Sequence, residues 1–164
     1  MADTISDDWQ LYIEQYPQMM SLIRQLGKQG WYVQDGWTAF IGHYHAGIYL
    51  QVFKPHWFNQ AGDGIHLETG VNAETLANKV AGIDLHIGHK NLFDRDRFNA
   101  YATPRMAALV NTWEGDLWFK SHTVSERLGM QVKFTKTNFP KQMAAAFTQL
   151  AALGPIIDEA LAQL

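Results

Sequence analysis

Three short segments between residues 48 and 87 alternate strictly between core-type apolar side chains and others. They are Ile48-Tyr49-Leu50-Gln51-Val52-Phe53, Ile65-His66-Leu67-Glu68-Thr69 and Asp84-Leu85-His86-Ile87. A period of two belongs to a half-buried strand and excludes an amphipathic helix. It also sorts the side chains by face. Ile48, Leu50, Val52, Ile65, Leu67, Leu85 and Ile87 point into a core. Tyr49, Gln51, Phe53, His66, Glu68, Asp84 and His86 share the opposite face, where aromatic bodies mix with titratable groups.

The rest of the chain supplies helices around these strands. Ser6, followed by Asp7 and Asp8, reads as the cap of a helix whose apolar residues run from Trp9 to Leu26 at helical spacing. Pro17 should kink that helix or begin a second one. Asp35-Gly36, set between Trp31–Gln34 and Trp37–Ile41, reads as a two-residue hairpin turn. A second turn between Tyr44 and Gly47 returns the chain into the strand at 48–53. Asn72 should cap a short helix over 73–80 that Gly82 closes. Asp94 should cap another, interrupted at Thr103-Pro104.

Leu117–Lys120 and Met130–Lys136 are further strands. The last helix carries two apolar strips. One is Met143, Phe147, Leu150, Gly154, Ile157, Leu161 and Leu164, and the other is Ala146, Leu153, Ile156 and Ala160. Gly154-Pro155 should kink it. Strands bunched between helices give an α+β fold, here a single domain over 1–164. The expected sheet is mainly antiparallel, with N-terminal, middle and C-terminal helices packed on one face.

Composition excludes several function classes. The net charge of −3 and the scattered Lys and Arg argue against a nucleic-acid partner. The absence of cysteine excludes disulfides, thiolate metal sites and cysteine nucleophiles. The acidic start lacks the features of a secretory signal, and no apolar run approaches a membrane span, so a cytoplasmic location without membrane contact is expected. Charged residues make up only 18% of the chain, while six Trp, six Tyr and nine Phe are present. Aromatics in excess of charge suit a surface that meets another protein.

Two histidine groups are candidates for chemistry. His43-Tyr44-His45 places two imidazoles on one face of an extended segment, the weaker candidate for a metal, since surface histidines at a hairpin turn explain it as well. His66, Glu68, Asp84 and His86 form the better constellation, because neighbouring strands would gather them on one face. A histidine beside a carboxylate is a general base or proton shuttle. The same residues also suit the plain solvated side of an antiparallel sheet. Asp116 with Gln131-Val132-Lys133 has the outline of a nuclease motif, but Gln131 and Lys133 are outward positions of an ordinary alternation. No phosphate loop, dinucleotide fingerprint or nucleophile elbow occurs.

The expectation is therefore a non-enzymatic binding or regulatory domain that recognises another protein through the aromatic and polar sheet face. A homodimer through that face or the second strip of the last helix is included, and no cofactor is expected. The alternative is a small metal-assisted or acid–base enzyme, hydrolase or nuclease-like, built on the His and carboxylate cluster.

Overall fold

In a computed structural model, which describes residues 7–44, 46–57, 64–88, 93–114, 117–119 and 128–164, the alternating segments are neighbours in one antiparallel sheet. Its strands are β1 (Thr38–Tyr44), β2 (Gly47–Phe53), β3 (His66–Asn72), β4 (Val80–His86), β5 (Leu117–Phe119) and β6 (Leu128–Lys133). They lie in the order β1-β2-β3-β4-β6-β5, every pair antiparallel. Ile48, Leu50, Val52, Leu67, Ile83, Leu85, Met130 and Val132 are buried on one face. The helices cover that face. They are α1 (Asp7–Leu26), α2 (Gly30–Gln34), α3 (Ala73–Asn78), α4 (Arg95–Val110), α5 (Phe139–Leu150) and α6 (Gly154–Ala162). The fold is α+β, as the strand and helix pattern implies.

Several local expectations are corrected. Residues 30–34 form the helical turn α2, not a strand, so Asp35-Gly36 is no hairpin turn. Gly36 has φ +69° and follows the helix end at Asp35. Helix termini and tight hairpins both recruit glycine for left-handed backbone, so the dipeptide alone does not distinguish them. Tyr44 pairs with Gly47, so β1 and β2 are adjacent antiparallel strands as expected.

α1 runs through Pro17, and α4 runs through Thr103-Pro104 without a restart. In α4 the buried stripe Phe98, Ala102, Met106 and Val110 spans the proline, and its packing outweighs the missing backbone bond. Asn72 caps α3 by accepting from the Thr75 amide at 2.8 Å. Lys79, in left-handed backbone at φ 54°, closes that helix, and Gly82 belongs to β4 instead. Asp94 caps α4 through the Arg97 amide. Ser6 lies outside the described residues.

A turn of 3-10 helix at Ala151–Leu153 separates α5 from α6. It gives the two halves different neighbours: α5 packs on α1 and β6, α6 on α4. Both apolar strips are thereby used within the chain. Ala146, Leu153 and Ala160 are buried, and Ile156 is half-buried against the core.

Gly47 marks a tight spot beside the turn. A Cβ there would run into the Val71 carbonyl oxygen and the Tyr44 ring, whereas one on Gly70 would meet only ordinary contacts. Gly47→Ala should therefore cost about 2 kcal/mol. A melting-temperature drop of about 4–8 °C would register it. Gly70→Ala should change little. Equal melting temperatures for the two variants would contradict this packing.

Candidate functional site

The sheet face turned away from the helices carries the titratable residues of β2, β3 and β4. Register decides which of them meet. Gln51 lies opposite Glu68, and Glu68 opposite Asp84, so the three form a row across the strands. His66 lies opposite His86 in the adjacent row. Their imidazoles stack with centroids 4.9 Å apart and planes 18° from parallel.

Glu68 stands at the centre of the group. The Gln51 amide donates to its Oε2 at 2.9 Å. His66 Nε2 is 3.5 Å from Glu68 Oε2, and His86 Nε2 is 3.8 Å from Glu68 Oε1. Asp84 Oδ2 is 4.0 Å from His86 Nε2. Gln51 and His66 are buried, while Glu68, Asp84 and His86 are part-exposed. Burial by itself would raise the Glu68 pKa. Hydrogen bonds from His66 and Gln51, with the positive charge available on His86 and His66, outweigh burial and hold the carboxyl below its usual range.

Two tyrosines flank this row. Tyr49 lies opposite Gly42 and Gly70, and its ring occupies the space a side chain at 42 would take. Burial raises the pKa of Tyr49, and the Glu68 charge raises it further. For Tyr44, burial again raises the pKa, a hydrogen bond with Asn72 opposes the rise, and the Glu68 charge adds to it.

Compared with protein-family models, with curated proteins and with solved structures, the chain matches none.

Five of the residues singled out from alternation, Gln51, His66, Glu68, Asp84 and His86, come together, and Tyr49 borders them. Phe53 does not join them, being half-buried against the core. His43 is exposed and lies on the helix side of β1, stacked on Trp9 at 5.0 Å and edge-on to Tyr12 at 5.3 Å. His45 and Asp116 lie outside the described residues. Gln131 and Lys133 are exposed positions of β6.

A second polar group has no counterpart in the sequence reading. Asp158 of α6 accepts from Lys54 Nζ at 2.6 Å and from Trp57 Nε1 at 2.7 Å, and its Oδ1 lies 2.7 Å from His56 Nε2. Lys54 and Trp57 are buried, and Trp37 packs edge-on against Trp57 with the Lys54 ammonium over its ring. This group ties the end of β2 to the last helix across about 100 positions of sequence, a separation over which loop closure costs entropy. Asp158 among Ile156, Ile157 and Ala160 is the one sign of it in the sequence.

No described helix is long and apolar enough to cross a membrane.

Proposed function

We propose that this chain is a non-enzymatic recognition domain that binds another protein along the β1 edge of its sheet. The observation that carries this reading is the character of that edge. β1 pairs only with β2 among the described residues, and no described strand lies on its other side. Its sequence, Thr-Ala-Phe-Ile-Gly-His-Tyr, holds no Lys, Asp, Glu or Pro. Edge strands that must stay single usually carry such residues.

Aromatic side chains line the edge on both faces. Phe40 is 51% exposed and Tyr44 37% exposed, both on the polar side of the sheet beside Tyr49. Trp9, at 53% exposed, stacks on His43 on the helix side. An added strand gains affinity from main-chain hydrogen bonds and specificity from pockets for alternate side chains. The row beginning at Gln51 offers polar contacts one strand further in. A second copy of the chain, β1 against β1, is one partner that fits.

A photo-crosslinking residue at position 40 should trap a second polypeptide in cells, whereas one at Gln131, on the far side of the sheet, should not. Tyr44→Lys should cut the trapped product at least about tenfold, which corresponds to about 1.4 kcal/mol of binding. Its melting temperature should fall by no more than a few degrees, because Tyr44 also bonds Asn72 and packs beside Gly47. Sedimentation would tell self-association from a different partner. Absence of any product from position 40 would remove the reading.

A second reading, a small metal-assisted or acid–base enzyme, is favoured by the meeting of His66, Glu68 and His86. Turnover that is lost in Glu68→Gln but kept in Tyr44→Lys would favour it over the first.

A further inference from the structure

We propose that His66, Glu68 and His86 bind one divalent first-row transition-metal ion of the zinc class. Each offers one ligand atom, and the three atoms lie within 4.8 Å of one another. Zinc holds imidazole nitrogen at about 2.0–2.1 Å and carboxylate oxygen at about 2.0–2.2 Å, so ligand atoms on one edge of its tetrahedron stand about 3.4 Å apart. His66 Nε2 stands 3.5 Å from Glu68 Oε2 and His86 Nε2 3.8 Å from Glu68 Oε1, so each imidazole is close to that edge from one oxygen of the same carboxylate, which must turn to serve both. Closing the site requires the stacked rings to splay so that both nitrogens converge. His86, with 29% of its side chain exposed, has the room to tilt, while buried His66 forms the fixed wall.

The donor set selects the metal. Two imidazoles and one carboxylate suit zinc, iron(II), cobalt and nickel, whereas calcium and magnesium take oxygen ligands. Gln51 supplies the support such a site needs, since its amide bond to Glu68 Oε2 orients the carboxylate. Three protein ligands leave a fourth position for water or an incoming donor, the arrangement of sites that react or recognise. The site lies apart from His43 and joins residues that only strand register brings together. It does not depend on the β1 edge.

The test uses the full chain, stripped with a chelator that is then removed. Zinc is titrated by calorimetry and cobalt(II) by visible absorption. One ion per chain at micromolar or tighter affinity is expected, with the intense cobalt bands of a tetrahedral site. His86→Ala and Glu68→Gln should each weaken binding by more than about 100-fold, and Gln51→Leu by about 10–100-fold. His43→Ala should have no effect. Should the ligand variants fold poorly, the parent still decides the matter by NMR. Zinc must then shift the imidazole signals of His66 and His86 and leave those of His43 and His56 in place. Failure of the parent to bind either ion, or binding that survives His86→Ala and Glu68→Gln, would overturn the assignment.

Discussion

Leu50→Asp should abolish the cooperatively folded state at 25 °C. Leu50 sits in the second strand of the sheet, opposite Ile41 on β1 and Thr69 on β3, with none of its surface exposed. α1 packs over β2. The substitution removes about 2–3 kcal/mol of apolar burial. It also forces a carboxylate into a site with no counter-charge, which costs several kcal/mol more. Domains of this size are stable by about 5–15 kcal/mol in total, so the sum consumes most or all of the margin. Phe40→Asp provides the contrast. Phe40 is on the opposite face and half exposed, and that variant should melt cooperatively. Circular dichroism melts of the two proteins check the facing of the sheet directly. A cooperative transition for Leu50→Asp would mean that β2 does not present this face to the helices.

That facing is legible in the sequence, because side-chain direction alternates strictly along a strand. Ile48, Leu50, Val52, Leu67 and Leu85 are buried as their parity requires, and Glu68, Asp84 and His86 share the other face. Register was not readable. Parity places His66 and His86 on one face but leaves their separation open. They meet because α3 joins β3 to β4 at a length that sets residue 66 against residue 86. The pair His43 and His45, close in sequence, is conspicuous for the opposite reason. Neighbours along a strand are visible in a sequence, whereas neighbours across strands are not.

The misread segments share another cause. Gly82 and Pro104 carry local preferences that tertiary packing overrides, as the buried stripe of α4 does at Pro104, whereas Gly36 takes the left-handed backbone that suits a helix end as well as a hairpin. The group around Asp158 lay beyond reach because nothing local to Lys54, His56 and Trp57 points to a partner on α6.

That group should also contribute heavily to stability, and Asp158→Ala should cost about 3 kcal/mol. The substitution leaves the Lys54 ammonium buried without its carboxylate and the Trp57 indole N–H without its acceptor. Breaking a fully buried pair costs about 3–5 kcal/mol, and the lower end applies because Asp158 is 32% exposed. The melting temperature should fall by about 6–12 °C.

Acid should remove part of the same stabilisation in the parent. Burial alone would raise the Asp158 pKa, but the hydrogen bonds from Lys54, Trp57 and His56, with the Lys54 charge, hold it below the usual range. A carboxyl whose pKa is lower folded than unfolded binds protons more readily in the unfolded chain. Its contribution is therefore complete above about pH 5, and it declines as the pH falls through about 3.9 toward the depressed folded value. The stability gap between parent and Asp158→Ala should narrow over that interval. Denaturant melts from pH 7 down to pH 3 would measure it. Lys54→Met combined with Asp158→Leu should recover part of the loss, because it removes both charges together and leaves only the Trp57 N–H to satisfy. A gap that stays constant with pH would mean that the Asp158 charge does not hold the end of β2 to the last helix.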